Sequence, residues 1–362
     1  MLRFITAGES HGLGITAILD GMPAGVEVSD EELSFELSRR RKGYGRGKRA
    51  NIEDDQVMIT SGVSDGKTTG APICVVIPNK DHVNWKGRYV PILAPRPGHA
   101  DFAGMVKYGF DDCRPVAERA SARETAGRVA CGYFAKKLLE KEGIKVLSWV
   151  VQIGPISAEL PPADKRMLSE REAERLFELA EASEVRCPDF AASERMKNLI
   201  DEAREKGDTL GGVFEVAVLN APPGLGSYVQ WDRRLDARLA AAVMSIQGIK
   251  GLEFGMGFKL SEVPGSKAHD PISIPNRPSN RAGGIEGGMS NGEIIFIRAA
   301  MKPIPTLQTP LSSVNVKTKE ECRAHAERSD VCAVGSAAVV AESMVALVVA
   351  DALLEVRGGD RW

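Results

Sequence analysis

The 362-residue chain has almost no net charge: 47 Lys and Arg face 49 Asp and Glu, which leaves −2 at neutral pH. A generic nucleic-acid binder would show a basic excess or a basic domain, so no nucleic-acid partner is expected, and any strong field must be local. The six cysteines (Cys74, Cys113, Cys131, Cys187, Cys322 and Cys332) include no C-x-x-C pair. That excludes a disulfide framework and a zinc site, and leaves reduced, mostly buried thiols in a cytoplasmic protein. There is no low-complexity tract, no short-period repeat and no linker long enough to mark a domain boundary. The opening MLRFITAGESHG has too short an apolar run for a signal peptide. The run 331–350 has bilayer length, but Glu342 sits in its middle, Gly335, Ser336 and Ser343 dilute it, and Asp351 follows. It reads as a small-residue helix packed inside the protein, with no membrane implied.

Apolar periodicity predicts strands at about 2–7, 13–20, 56–61, 72–78, 144–153, 212–219, 251–260 and 293–300. Ser29-Asp30-Glu31-Glu32 is expected to form a capping box opening a helix to about Arg41. A long helix is expected from near Ala120 to before Gly143, two polar-faced helices within 164–206, one helix at 232–246 and a last one at about 335–356. Residues 79–118 read mostly as loop, and 302–313 as a Pro-rich connection. Strands and helices mix without strict βαβ alternation, which points to the α+β class.

Three motifs look like catalytic or nucleotide signatures and fail on inspection. Ser10 and Ser290 both satisfy G-x-S-x-G, but Ser10 has only nine residues before it, too few for the strands that precede a hydrolase elbow. Gly62 to Thr68 has three residues between its glycines where a phosphate-cradling loop needs four, so a turn between strands is expected there. Gly255-Met256-Gly257 lacks the third glycine of a dinucleotide fingerprint and reads as a strand bend.

The charge is concentrated instead. RRRKGYGRGKR, Arg39 to Arg49, places seven cations in eleven positions, separated by Gly43, Gly45 and Gly47. This predicts a loop able to bring arginines over an anion, and one that is mobile until ligand binds because its charges repel. Arg96, Arg114, Arg119 and Arg123 lie in loops with no evident packing role. Arg119, Ser121 and Arg123 bracket a helix start, where free N–H groups and the positive end of the dipole suit a phosphate or carboxylate. His11 and His99 each have a glycine neighbour and complete a small polyanion site.

These residues together identify a resemblance. GESHG (8–12), RRRKGYGRG (39–47), RPGHAD (96–101), RASARET (119–125), MSIQGIKGLE (244–253), GGIEGGMSNG (283–292), MKPIPT (301–306) and RSDVCAV (328–334) occur in the order and spacing of the chorismate synthase family, across essentially the whole chain. The resemblance implies one domain over 1–362, a β-α-β sandwich with a helical layer between antiparallel-rich sheets, and a homotetramer. It implies a carbon–oxygen lyase of the shikimate pathway that eliminates phosphate from 5-enolpyruvylshikimate 3-phosphate and requires reduced FMN. NADPH or a separate flavin reductase would supply the electrons. Such a substrate carries two carboxylates and a phosphate, roughly −4 in all. One arginine about 4 Å from such a charge gains on the order of 4 kcal/mol before desolvation, so several planar, bidentate guanidinium groups are called for.

By position, the resemblance implies substrate contacts at Ser10, Arg46, Arg49, Arg96, Arg123 and Arg328. It implies FMN contacts at Arg119, Ala120, Ser121, Gln247, Gly248, Gly287, Lys302, Pro303, Ile304, Pro305, Thr306 and Arg328, and NADP contacts at Arg40 and Arg46. His11 and His99 match the two histidines with acid roles, and Asp330 an acid near flavin N5; no metal is implied. Ser10 then becomes a hydrogen-bonding neighbour of His11 rather than a nucleophile. Ala120 stands where many members have Ser, and Ser329 where many have His, so one hydroxyl and one imidazole are missing from the expected set. A flavin- or nucleotide-phosphate-binding protein without lyase activity is the alternative reading.

Overall fold

A computed structural model describes residues 1–47, 52–160, 168–273, 277–327 and 329–358. The first sheet contains β1 (Arg3–Ala7), β2 (Gly14–Asp20), β3 (Met58–Ser61) and β4 (Ile73–Pro78), antiparallel in the order β1-β2-β4-β3. Its register pairs Ile15 with Ile77, Ala17 with Val75 and Leu19 with Ile73. Because strand side chains alternate, these six buried residues share one face, the face that receives the helical layer.

Helix α1 (Asp30–Arg41) connects β2 to β3, and α2 (Asp101–Tyr108), α3 (Arg114–Arg119) and α4 (Thr125–Glu140) follow β4. The second sheet contains β5 (Lys145–Ile153), β6 (Ile156–Ser157), β7 (Gly212–Leu219), β8 (Ile249–Phe254) and β9 (Ile295–Met301), antiparallel in the order β8-β9-β7-β5-β6. Helices α5 (Glu170–Ala182), α6 (Phe190–Glu205), α7 (Leu235–Met244) and α8 (Val334–Arg357) complete the main elements.

Helix α4 packs on β2 and β4, and α8 packs on α4, α7, β5 and β7, so the two helices form a layer between the sheets. Their approach is close. A Cβ added at Gly132 of α4 would lie 2.2 Å from Ser343 Cβ of α8, and one at Gly127 would lie 3.1 Å from Ala17 Cβ of β2. Glycines on opposite faces thus let α4 fit between a sheet and a helix. Helix α8 is long and apolar enough to cross a membrane, yet it is buried almost all round by the protein, which makes it a core helix. β5 and β7 are buried on both faces, because α8 covers one side while α5 covers Trp149, Ala217 and Leu219 on the other. One hydrophobic cluster runs from Ala17 in β2 to Leu354 in α8.

The structure alters several expectations. The capping box at Ser29 is only half made: Ser29 Oγ accepts from the Glu32 N–H at 3.3 Å, but the Ser29 N–H donates to Tyr133 Oη at 2.7 Å, and the Glu32 carboxylate accepts from that same phenol. Residues 79–118 hold α2, α3 and a one-turn helix at His82–Trp85, all too short for apolar periodicity to reveal. The strand expected over 251–260 stops at Phe254, where Gly255 and Gly257 take φ of +55° and +53°. The Gly62–Thr68 turn is confirmed as a hairpin whose central Asp65 and Gly66 both have positive φ.

Arg39 does not face a ligand. It points into the core, where the fully buried Glu342 carboxylate of α8 accepts from Arg39 at 2.8 and 2.9 Å, from Lys136 at 2.8 Å, from Ser148 at 2.6 Å and from Arg186 at 3.3 Å. Glu36 and Glu181 complete this cluster at 3.0 and 2.6 Å from Arg39. Of the basic loop expected to be mobile over about 42–50, residues 48–50 lie outside the described residues, and the described part is tied by hydrogen bonds. Tyr44 Oη donates to Asp201 at 2.7 Å, the Val331 N–H to Gly45 O at 2.8 Å, and the Gly47 N–H to Asp330 at 2.6 Å.

Candidate active site

At the edge of the helical layer the loops enclose one large cavity of about 1110 Å³. Its wall is drawn from the β1–β2 loop (Ser10, His11), the end of α1 and its loop (Arg40, Arg41, Arg46), the Arg96–Ala100 turn, α3 (Arg114, Glu118) and the Ala120–Arg123 connection. The Ile246–Lys250 and Met301–Thr306 segments, Glu327, Asp330 and the first turns of α8 close it. Among the described residues the wall carries nine Arg and Lys side chains and five carboxylates, so it favours an anion.

Each histidine is held by a carboxylate. The His11 N–H donates to Glu118 at 2.8 Å, and His11 Nδ1 lies 2.9 Å from the other Glu118 oxygen. The imidazole packs against Trp85 with centroids 4.2 Å apart and the ring planes tilted by 32°, and the Arg114 guanidinium lies over the same indole. Burial alone would raise the Glu118 carboxyl, but its bonds to His11 and Arg114 bring it below the ordinary glutamate value.

His99 follows Arg96-Pro97-Gly98, a sequence suited to a type II turn, with the His99 N–H donating to Arg96 O at 3.1 Å and Gly98 at φ +79°. The turn brings His99 Nδ1 to 2.7 Å from Asp101, at the start of α2. The same carboxylate accepts from Arg96 Nε at 2.7 Å, Arg96 Nη2 at 3.0 Å and the Arg96 N–H at 3.0 Å. Arg96 Nη1 reaches Thr306 Oγ1 at 3.1 Å.

A second buried aspartate organises Arg40 and Arg123. Asp55 accepts from Arg40 Nη2 at 2.8 Å and from Arg123 Nη1, with its own backbone at φ +51°. Burial works to raise its carboxyl, and the two arginines overcome that and hold it at about 2. Asn79 accepts from Arg123 Nε at 2.8 Å and puts its Nδ2 within 2.9–3.1 Å of the carbonyls of Glu9, Ser10 and Gly12. It therefore fixes the β1–β2 loop and Arg123 together. Arg46 pairs with Asp330 at 2.8 Å, and Ser10 Oγ donates to Ser121 Oγ at 3.1 Å.

Of the residues singled out from the sequence, Ser10, His11, Arg40, Arg46, Arg96, His99, Ala120, Ser121, Arg123, Gln247, Gly248, Lys302 to Thr306 and Asp330 share this wall. Arg119 does not: it turns to the exterior and donates to Thr6 O at 2.7 Å. Gly287 lies at the tip of a hairpin, Ile285–Glu286 with Met289–Ser290, also off the wall. Arg49 and Arg328 fall outside the described residues. Glu118, Asp101, Asp55, Asn79 and Trp85, which hold the functional groups, have no role in the sequence reading; of these Asp101 lies within the RPGHAD stretch, while Asp55, Asn79 and Trp85 lie in none of the family-like stretches.

The wall also fits a flavin. Gln247 donates to Glu124 at 2.7 Å while its Oε1 is buried with no partner among the described residues, and Arg40 Nε and Arg46 Nε are buried donors in the same position. An acceptor and donors of this kind suit a polar heteroaromatic ring with an anionic tail. Lys302, which donates to Gly98 O, is shifted below the usual lysine value by burial and by nearby Lys250.

Comparison with known proteins agrees in extent. The chorismate synthase family model matches residues 2–354. Chorismate synthases from Aquifex aeolicus and Geobacter metallireducens are each 52% identical to this chain over 99% of its length, covering 94% and 95% of their own. A crystal structure of chorismate synthase superposes with a TM-score of 0.83 at 46% identity, covering all of this chain and 94% of the other.

Proposed function

The chain belongs to the chorismate synthase family, and from that premise we propose how its cavity carries out the family's reaction, loss of phosphate from 5-enolpyruvylshikimate 3-phosphate to give chorismate on the route to aromatic amino acids. The observation that carries the reading is convergence: Arg46, Arg96 and Arg123, which are far apart in sequence, meet His11 and His99 on one wall. Arg96 and Arg123 are held rigidly by Asp101 and by Asp55 with Asn79, so their remaining N–H edges are oriented before ligand arrives. They bind the carboxylates and the phosphate, with Arg46 and Ser10 contributing from the loops and Arg49 and Arg328 as further substrate contacts.

Members of this family depend on flavin; in this chain we assign it to FMN, held by Gln247, Gly248, Ala120, Ser121 and the Lys302–Thr306 segment, with Arg328 as a further contact. Reduced FMN supplies the electron density that promotes phosphate loss. The protein's own part is to exclude water, orient the ring and keep protons at defined atoms. Nδ1 of His99 is bonded to Asp101, so its Nε2 is the nitrogen turned to ligand and delivers a proton from the imidazolium form; His11 is held through Nδ1 by Glu118, with Asp81 Oδ2 3.9 Å from its Nε2, and one imidazole acts toward the flavin and the other toward the departing phosphate. Asp330 assists hydrogen removal. Gly287 and Arg119, off the wall, reach a flavin only if a second subunit or a side-chain rearrangement brings them, which accords with a homotetramer.

The test is anaerobic phosphate release from 5-enolpyruvylshikimate 3-phosphate with FMN, adding dithionite or NADPH in separate reactions. Activity with dithionite is expected, and His11→Ala and His99→Ala are each expected to lower turnover at least ~100-fold while retaining the wild-type circular dichroism. Wild-type rates in both variants would remove the acid roles. Activity with NADPH alone would assign the reductant to this chain through Arg40 and Arg46; activity with dithionite only would assign it to a separate flavin reductase.

A further inference from the structure

We infer that Asp101 is a positioning residue for the reaction: one buried carboxylate that sets the protonated edge of His99 and the orientation of Arg96 together. The inference rests on the reading of His99 as an acid. Asp101 has no solvent exposure, and among the described residues every hydrogen bond of its carboxylate goes to these two residues. Oδ2 takes the Arg96 backbone N–H and Nε, and Oδ1 takes Arg96 Nη2 and His99 Nδ1. His99 Nδ1 has Asp101 Oδ1 at 2.7 Å and Arg96 Nη2 at 3.3 Å; the nearer carboxylate takes a proton from Nδ1, so in the neutral ring Nδ1 is the proton-bearing nitrogen and Nε2 is left for the cavity that His99 lines.

The placement has local causes. Asp101 is the first residue of α2, where a carboxylate interacts favourably with the helix dipole. The Pro97-Gly98 turn folds Arg96 back over it. Arg96 is secured on its far side by Thr306, within the segment assigned to the flavin. A ligand anion that draws on Arg96 therefore acts on the same carboxylate that holds the imidazole. Binding and proton delivery share a hinge point of one side chain.

A double-mutant cycle on the full-length enzyme with reduced FMN tests this. Asp101→Asn keeps the shape and removes the charge; it is expected to lower kcat at least ~100-fold, as loss of a tautomer-fixing aspartate does in serine proteases, and to raise the KM for substrate about 10-fold through Arg96. In the His99→Ala background the same substitution is expected to cost less than ~3-fold further in kcat while keeping its effect on KM, since residues that act as a unit are non-additive. Asp101→Glu retains the charge and serves the same cycle if the asparagine variant does not fold. A kcat within ~3-fold of wild type for Asp101→Asn, or full multiplication of the two kcat losses, overturns the inference. A His99→Ala enzyme with normal kcat would instead overturn the acid role of His99 itself, and these outcomes are distinct.

Discussion

Glu342→Gln is the most informative single change outside the cavity. The carboxylate is fully buried on α8 and bonds Arg39, Lys136, Arg186 and Ser148 at 2.6–3.3 Å, so neutralising it leaves three cations to share only the carboxylates of Glu36 and Glu181. Removing one partner of a buried ion cluster costs about 3–5 kcal/mol. At about 2.1 cal/mol/K per residue, a 362-residue chain has an unfolding entropy near 0.76 kcal/mol/K, so a loss of about 4 kcal/mol lowers Tm by about 5 °C. Calorimetry at neutral pH measures this directly. Burial alone would raise the Glu342 carboxyl, but the surrounding cations hold it far below its ordinary 4.5. Below pH 4.5 the unfolded chain therefore takes up a proton that the folded chain does not, and the contribution of this group, complete above 4.5, shrinks as the pH falls. The Tm difference between wild type and variant should accordingly narrow in acid. Glu202→Gln, which breaks an ion pair with Lys206 in which both side chains are mostly exposed, should change stability by less than about 0.5 kcal/mol. A Tm change below about 1 °C for Glu342→Gln, or a difference that widens in acid, would refute the argument.

Gly132→Ala should destabilise by about 3 kcal/mol or more, because the new Cβ meets Ser343 Cβ at 2.2 Å and one of two packed helices must move; urea denaturation measures it, and a loss under about 1 kcal/mol would mean the helices separate freely. Asp55→Asn should raise the KM for substrate about 10-fold or more, since Arg40 and Arg123 lose a shared ionic partner, and an unchanged KM would show that these arginines are placed by other groups. The stabilising contribution of Asp55, complete above its ordinary 3.8 and lost as the pH falls towards about 2, should vanish in the same variant. Because one apolar cluster joins β2 to α8, unfolding is expected in one calorimetric transition, and two resolved peaks would count against a single domain.

The parts of the site that were legible from sequence are those that carry their own local geometry. Arg96-Pro97-Gly98-His99 specifies its turn through Pro and Gly, and the diluted apolar run with Glu342 in its middle specifies an interior helix rather than a membrane span. Asp55, Asn79, Glu118 and Trp85 were not legible, because their meaning lies in partners distant in sequence: Asn79 meets Ser10 only through the β2–β4 pairing, and Trp85 meets His11 through a helix of one turn. Arg39 shows the opposite error. Consecutive arginines on α1 point in different directions, so Arg39 reaches the core cluster while Arg40 reaches the cavity, and a count of charges along the chain could not separate them. The capping of α1 by Tyr133 likewise required knowledge of which helix lay beside it.

Helix α8, the central slab of the sandwich, is assembled only after 333 residues have preceded it. While the chain is being synthesised, the inner face of the second sheet and the side of α4 turned away from the first sheet must wait for a partner that has not yet been made, and Arg39 and Lys136 wait for Glu342. A ribosome-bound fragment ending before Val334 would expose that apolar surface, the kind of transient exposure that makes a nascent chain prone to aggregation. The completed cavity, whose wall includes the first turns of the same helix, comes into existence at the same moment as the core.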